Sequence, residues 1–151
     1  MESQLVVIGS DHAGFWFKEE IRRHLDHLEI AWVDMGPGKL NTRDDYPDFA
    51  RKVAELVVRK KAKGILVCAT GFGMAMVANK VKGARAANVE SMEGARLARR
   101  RDDANILCMG SRFLKQTTAK KIVDVFLKEK FEGNARDIRR LAKVRMLERA
   151  K

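Results

Sequence analysis

The chain has 151 residues, 46% of them hydrophobic and 34% charged, which suits one globular domain with its own core. No apolar run approaches the roughly 20 residues of a membrane span, so a membrane protein is not expected. The start of the sequence lacks the basic and long apolar regions of a signal peptide, and we therefore expect a cytoplasmic location. The 31 Lys and Arg outnumber the 20 Asp and Glu, giving a formal charge of +11. Solvated helical faces explain most of this excess, so nucleic acid is not the expected partner.

The first half of the chain alternates short apolar runs with amphipathic helical patterns. Pro47 suits the first turn of one of these helices. A polar segment at 36–46 with Pro and Gly reads as a loop. The predicted strands are 5–8, 30–33 and 64–68, and the predicted helices are 15–28 and 47–61.

The second half continues the alternation without a linker or repeat. After a tight turn at 69–73 it contains a short helix to about 81, strands at 84–89 and 106–109, helices at 92–101 and 117–128, and a basic helix at about 134–150. The pattern predicts one α/β domain over 1–151, with a parallel sheet covered by helices on both faces. In such sheets ligands bind beyond the carboxyl ends of the strands.

The two cysteines, Cys68 and Cys108, both lie in apolar runs and belong to no C-x-x-C pair, which excludes a disulfide framework and a zinc site. Cys68 ends a strand and enters a glycine turn. A dinucleotide fingerprint would need Gly or Ala where Met76 stands, a cysteine phosphatase loop would need Arg in place of Met74, and a Walker loop would need Gly-Lys-Ser/Thr. The remaining interpretations are an anion hole with a thiol and the Thr70 hydroxyl at its lip, or a structural turn.

Other polar segments are ambiguous on their own. Asp11-His12 follows the first strand, and Asp11 can simply cap a helix. The segment 44–47 can cap the next helix in the same way. Arg136 and Arg140 lie four residues apart and can either clamp a phosphate or form a solvated basic face.

Eight short stretches carry a specific signal when they are taken together and in order. They are 9–15 (GSDHAGF), 45–47 (DYP), 68–73 (CATGFG), 78–80 (ANK), 83–86 (GARA), 103–107 (DANIL), 110–112 (GSR) and 131–133 (FEG). In this order they resemble the family of ribose-5-phosphate isomerase B and galactose-6-phosphate isomerase subunits, from about Leu5 to Val144.

The resemblance implies a Rossmann-like three-layer α/β/α fold with a five-stranded parallel sheet. It also implies a homodimer or a dimer of dimers, with the site at the dimer interface and with neither metal nor cofactor. The implied partner is a small phosphorylated sugar, and the implied reaction interconverts D-ribose 5-phosphate and D-ribulose 5-phosphate through a cis-enediolate.

The same resemblance implies roles for individual residues. Cys68 is the expected base, because the other branch of the family uses a glutamate where this chain has Met74. Thr70 and Asp11 complete the implied catalytic group. The implied sugar-binding residues are His12, Asp45, Tyr46, Gly71, Phe72, Gly73, Met74, Ala75, Arg101 and Asp102. Among them, the N–H groups of the turn residues 71–75 would face an oxyanion. The implied phosphate-binding residues are His12, Arg112, Arg136 and Arg140.

Four positions depart from the family pattern. Ala69 replaces a glycine, and Asp137 stands where a histidine usually follows the arginine. Arg101 and Asp102 stand where the family has a histidine, which opens the furanose ring, followed by an asparagine. Arginine cannot shuttle a proton near neutral pH.

The lost histidine leaves alternatives open. Either Asp11 or Asp102 takes over ring opening, or the substrate is an acyclic tetrose 4-phosphate such as erythrose 4-phosphate. A partner subunit without activity is a third interpretation, against which Cys68 and Thr70 argue. A basic nucleic-acid-binding protein is the alternative outside enzymes. We favour ribose 5-phosphate, which is the commonest activity in the family.

Overall fold

A computed structural model describes residues 4–149 of the chain. Its sheet is parallel throughout and has the strand order β2-β1-β3-β5-β4, which confirms the predicted five-stranded parallel sheet. The single-domain prediction for 1–151 includes residues 1–3 and 150–151, which lie outside the described part. The strands are β1 (Val6–Ser10), β2 (Trp32–Asp34), β3 (Lys63–Cys68), β4 (Ala86–Asn88) and β5 (Ile106–Gly110).

Helices connect the strands and cover both faces of the sheet, as predicted. Residues of α1, α4 and α5 form a core with one face, while α2 and α3 form a second core with the other face. Within residues 4–149, no helix is both long and apolar enough to cross a bilayer. The helices are α1 (Phe15–His27), α2 (Tyr46–Lys60), α3 (Phe72–Ala78), α4 (Met92–Arg100), α5 (Gln116–Lys128) and α6 (Ala135–Arg149), with a 3₁₀ turn at His12–Gly14.

The two cores follow from the alternation of side chains along the buried strands. In β1, Val6 and Ile8 enter the first core and Val7 enters the second. All five residues of β1 and all five of β5 are buried, as expected for strands that are covered on both faces.

The third helix is shorter than its predicted end near Val81. It stops at Ala78 because the side chain of Asn79 pairs with the backbone of Ala86 in both directions, at 3.0 and 2.8 Å. These two bonds hold the chain in a turn before β4. The predicted strand at 84–89 is likewise limited to Ala86–Asn88, the segment that pairs with β5.

The parallel topology gives the sheet two distinct edges. The carboxyl edge holds the segments that follow the strands: Asp11–His12, Ala69–Gly73 and Ser111–Arg112. The amino edge holds the segments that precede the strands, including Lys63 at the start of β3 and residues 101–105 before β5. Between the edges, the five residues of β5 span about 13 Å.

Candidate active site

Cys68 is the last residue of β3 and lies at the carboxyl edge with only 4% of its surface exposed. Its sulfur accepts a hydrogen bond from the N–H of Gly71 at 3.0 Å. Its carbonyl accepts the N–H of Ser111 at 2.9 Å, which joins the segments that follow β3 and β5. The thiol is therefore held in a defined position beneath the glycine turn.

The turn after Cys68 requires glycine at Gly71. This residue has φ +82°, and a Cβ added there would lie 2.0 Å from Oδ1 of Asn88. Cys108, the other cysteine, is fully buried in the same core, and burial raises the pKa of its thiol, with the charge of Cys68 contributing in the same direction. Cys108 is thus an interior residue of β5, whereas Cys68 is the last residue of β3.

The turn offers fewer free N–H groups than the sequence suggested for Gly71 to Ala75. Gly71 donates to the Cys68 sulfur, Phe72 donates to the Thr70 hydroxyl at 3.2 Å, and Ala75 donates to the carbonyl of Gly71 at 3.1 Å. Gly73 and Met74 lie in the first turn of α3, where the N–H groups have no acceptor within the helix. The side chain of Met74 is fully buried, so Met74 can meet a ligand only through its backbone.

His12 lies at the same edge and is bound to Asp44. One oxygen of Asp44 accepts the backbone N–H of His12 at 2.9 Å and bonds the ring Nδ1 at 2.7 Å. This hydrogen bond, together with the charges of Asp11 and Asp44, raises the pKa of His12 despite the opposing effect of burial. The other ring nitrogen, Nε2, is the one left for a ligand, and the raised pKa favours a positively charged ring.

Asp11 is a buried carboxylate of the carboxyl edge, with 7% of its surface exposed. Its Oδ1 accepts the N–H of Gly14 at 3.1 Å, so Asp11 does cap the 3₁₀ turn. Burial raises its pKa, which the hydrogen bond from Gly14 and the charge of His12 only partly offset. Ligand atoms of Asp11, His12 and Asp44 lie within 4.8 Å of one another. Asp11 Oδ1, His12 Nδ1 and Asp44 Oδ1 take part in hydrogen bonds, whereas the buried Oδ2 of Asp44 has no hydrogen-bond partner in the described part of the chain.

Asp44→Asn should lower the pKa of His12. A raised pKa in the folded protein stabilises it fully below the ordinary value near 6.5, and this contribution is lost as the pH rises through the raised value. The stability difference between the wild type and Asp44→Asn should therefore be largest in mildly acid solution and shrink in alkali. NMR titration of the His12 ring and urea unfolding at several pH values measure the two effects.

Asp45→Asn is the matched control for this prediction, because Asp45 is exposed and caps α2 without a side-chain hydrogen bond. It should leave the His12 titration unchanged. An unchanged His12 pKa in Asp44→Asn would contradict the assigned cause.

Tyr46 and the glycine turn contact each other directly. A Cβ added to Gly73 would lie 2.5 Å from two ring atoms of Tyr46, so only glycine lets the ring approach the turn this closely. Tyr46 is the first residue of α2, and its side chain is partly exposed. On the same turn, the ring of Phe72 is exposed, and its centroid lies 5.9 Å from that of the Phe113 ring. The structure thus brings Tyr46 and the turn together.

Gly110→Ala should displace the turn that carries Thr70. An added Cβ would lie 2.6 Å from the carbonyl carbon and oxygen of Thr70, which is backbone and cannot rotate away. We expect a stability loss of about 1–3 kcal/mol, measured by urea unfolding, together with lower activity. Gly38→Ala is the matched control, since a Cβ there meets nothing within 4 Å. Equal stability of the two variants would refute the close approach.

Arg112 also belongs to the carboxyl edge. Its N–H donates to the carbonyl of Ala69 at 3.0 Å, and its side chain is exposed. With His12 it supplies the positive charge on this edge, next to the turn that follows Cys68.

The remaining predicted site residues are not brought to Cys68 in the same chain. Arg101 and Asp102 follow α4 and precede β5, whereas Cys68 pairs with Gly110 at the far end of that strand. The two groups are therefore separated by about the 13 Å length of β5. The physical reason is that a helix returns antiparallel to its strands, so the end of α4 lies at the amino edge.

Arg136 and Arg140 also lie on the amino-edge side. The N–H of Glu132, just before α6, donates to the carbonyl of Arg100 at 3.0 Å. Both arginines contact Oδ1 of Asp137, at 3.2 Å from Arg136 and 3.7 Å from Arg140. Burial opposes ionisation of Asp137, but these arginines and Asn134 outweigh it and lower its pKa.

The sequence interpretation did not select Asp44, the partner of His12. It assigned Asp45, the adjacent carboxylate, because Asp45 belongs to the matched DYP stretch. The only available signal was the pair of consecutive aspartates, and no local pattern tells which of the two faces a histidine 32 residues away.

Known proteins are similar to this chain over nearly its whole length. The sequence matches the family described as ribose/galactose isomerase over residues 6–144. Ribose-5-phosphate isomerase B of Escherichia coli K12 is 39% identical over 129 residues, covering 85% of this chain and 86% of the relative.

Solved structures agree with these sequence matches. The crystal structure of ribose-5-phosphate isomerase B from Mycoplasma genitalium, with bound ribulose 5-phosphate, has a TM-score of 0.95 and 45% identity, and both chains are covered completely. The enzyme of the same name from Clostridium thermocellum has a TM-score of 0.94 and 40% identity, with 97% of this chain and 99% of the other covered.

Proposed function

Since this chain belongs to the ribose/galactose isomerase family, we propose that it interconverts D-ribose 5-phosphate and D-ribulose 5-phosphate. Membership of this family makes the chain an aldose–ketose isomerase, and it confirms the resemblance seen in the sequence. The observation that carries the choice of substrate is the match along both full chains to a structure that holds ribulose 5-phosphate. The cytoplasmic location expected from the sequence stays a prediction.

In the proposed mechanism Cys68, as thiolate, removes the proton from C2 of the open-chain aldose. The electrons move to the carbonyl oxygen on C1, which gives a cis-enediolate, and the same sulfur returns the proton to C1 to give the ketose. One base serves both steps because C1 and C2 are neighbours. The support is the position of the sulfur at the end of β3, where the N–H of Gly71 stabilises negative charge on it.

The enediolate oxygens need donors that are already in place. The N–H groups of Gly73 and Met74 and the hydroxyl of Thr70 lie in the turn above Cys68 and can supply them. The hydroxyl of Thr70 is suited to pass a proton between the two oxygens. We assign Asp11, Asp45 and Tyr46 to the sugar hydroxyls. Burial raises the pKa of Asp11 above its ordinary value.

The phosphate group requires cations, and the chain carries its candidates on two opposite edges. His12 and Arg112 lie at the carboxyl edge, and Arg136 and Arg140 lie on the amino-edge side. A single chain therefore holds two halves of a site. We propose a homodimer in which the amino edge of one chain faces the carboxyl edge of its partner, so that two complete sites form.

Ring opening is the step that the substitution at Arg101 affects. In the proposed dimer Arg101 and Asp102 approach the partner's Cys68. Of this pair only the Asp102 carboxylate can accept a proton, because arginine has no acceptor and stays protonated. Asp11 is the alternative from the other edge. Either assignment keeps ribose 5-phosphate as substrate with a slower ring-opening step than a histidine would allow.

A sugar-phosphate panel tests this function. Purified protein without added cofactor is incubated with ribose 5-phosphate, and ribulose 5-phosphate is followed; turnover supports the proposal. Arg101→His should accelerate turnover if ring opening limits it. Turnover of erythrose 4-phosphate with none of ribose 5-phosphate would overturn the assignment in favour of an acyclic tetrose substrate.

A further inference from the structure

The basic residues of the chain differ in whether acidic side chains neutralise them in the folded structure. The basic run Arg96–Arg101 is largely neutralised: Arg96 and Arg100 pair with Glu129, and Arg99 pairs with Asp103. Most of the unpaired basic side chains behind the formal charge of +11 therefore lie on other parts of the surface.

A cavity of about 620 Å³ at the amino edge collects much of the unpaired charge. It opens where the end of α2, the start of β3 and the end of α5 meet. The apolar residues Leu5 and Leu127 are part of its lining. The cations that line it are Lys60, Lys61, Lys63, Lys128, Lys130 and Arg99.

The acidic residue that lines the cavity does not neutralise the charge of these lysines. Glu129 is the acidic residue of the lining, and both of its oxygens are engaged by Arg96 and Arg100, at 3.3 and 2.9 Å. Among the described residues, none of the five lysines forms an ion pair of 4.0 Å or less. Clustered cations in a concave surface produce a strong local field that attracts anions.

Lys63 is the most informative member of the group. It is only partly exposed, and its burial together with the nearby charges of Arg99 and Arg85 lowers its pKa, which the charge of Asp103 only partly offsets. A partly buried ammonium among other cations is costly unless an anion accompanies it. An anion of several charges would remove this cost and neutralise the surrounding lysines.

We propose that this amino-edge cavity binds a small anion with several phosphate charges, at a site separate from the one around Cys68. The cavity volume suits a ligand from the size of tripolyphosphate to that of a nucleoside triphosphate. Five ammonium groups match such a ligand better than a single phosphate, whose two charges would leave most of them unpaired. Within one chain, the cavity and the glycine turn lie at opposite ends of β3. In the proposed dimer the cavity also differs from the shared site, because the amino-edge residues assigned to that site, Arg101, Asp102, Arg136 and Arg140, do not line it.

Isothermal titration calorimetry of the whole protein with sodium tripolyphosphate tests the proposal. We expect one binding event per chain at physiological ionic strength. Lys128→Ala/Lys130→Ala, and separately Lys63→Met, should weaken it by about tenfold. Lys52→Ala/Lys121→Ala removes the same charge from exposed positions outside the cavity and should leave binding unchanged. ATP and adenosine as further ligands distinguish a nucleotide from inorganic polyphosphate, since only the former would gain affinity from its base.

Three results would overturn the proposal. The first is a loss of tripolyphosphate binding in Arg136→Ala/Arg140→Ala with no loss in Lys128→Ala/Lys130→Ala, which would place the ligand at those two arginines. The second is equal weakening of binding by the cavity and control variants, and the third is binding of RNA but not of tripolyphosphate; either would show only a diffuse basic surface. Isomerase activity is measured on each variant, so that failure of this site is separable from failure of the proposed reaction.

Discussion

Cys68→Ala should reduce isomerase activity by about 10²–10⁴-fold while leaving the fold intact, because it removes the proposed proton-transferring group and nothing else of the turn. Within residues 4–149 the sulfur accepts a hydrogen bond from the N–H of Gly71 alone, and that turn is also held by the bonds from Ser111 and Arg112 to Cys68 and Ala69. Conversion of ribose 5-phosphate measures the loss. Cys68→Ser keeps a hydrogen-bond acceptor but not the thiolate, and it should be nearly as inactive.

Cys108→Ala is the matched control. Both cysteines belong to the same core on one face of the sheet, but Cys108 is fully buried beneath α2 and α3 and has no part in the proposed mechanism. It should retain activity and lose about 1 kcal/mol of unfolding free energy. Full activity of folded Cys68→Ala would remove Cys68 as the base and transfer that role to a carboxylate such as Asp11.

Co-expression of two inactive variants should restore activity if the site is shared between chains. Cys68→Ala damages the carboxyl edge, and Arg136→Ala/Arg140→Ala damages the amino-edge half. In a heterodimer one site combines both damaged halves and the other combines both intact halves. Random pairing should therefore recover about a quarter of wild-type activity per chain, because half of the dimers are heterodimers with one intact site each.

The control pair carries both changes on the same edge. Cys68→Ala with His12→Ala leaves a damaged carboxyl edge in every site, so co-expression should restore nothing. Differently tagged chains allow the heterodimer to be purified and quantified before the assay. A pure heterodimer of Cys68→Ala with Arg136→Ala/Arg140→Ala that remains inactive would show that the site does not combine opposite edges of two chains.

The glycine turn after Cys68 shows how well local pattern can predict this structure. The run Gly64–Cys68 is apolar, and the following Gly71 and Gly73 lie where a positive φ and a close contact with Tyr46 leave no room for a side chain. The end of α3 was less predictable, because the apolar residues continue to Val81. The helix stops earlier because Asn79 bonds Ala86, a contact that no helical periodicity contains.

The candidate site was predicted residue by residue from the resemblance, but its geometry was not. Asp44, rather than Asp45, bonds His12, since the loop from 36 to 45 folds back over the carboxyl edge and turns one of two adjacent carboxylates inward. Arg101 and Arg136 resemble site residues in sequence but lie on the amino-edge side. The separation of Arg101 from Cys68 follows from the direction of α4, and that of Arg136 from the bond between Glu132 and Arg100. It supports the proposal that two chains share the site, which the resemblance also implies.

The amino-acid sequence by itself determined the alternation of strands and helices, the burial of β1, β3 and β5 and the position of Cys68 at the end of a strand. These properties depend on the spacing of apolar residues and glycines within about fifteen neighbours, which a sequence displays directly. Only the tertiary structure decided which distant charges meet: His12 with Asp44, Arg100 with Glu129, and Lys60, Lys61 and Lys63 with Lys128 and Lys130. These contacts depend on the order of the strands in the sheet and on the direction of the helices that connect them. Both bring together side chains that are far apart in the sequence.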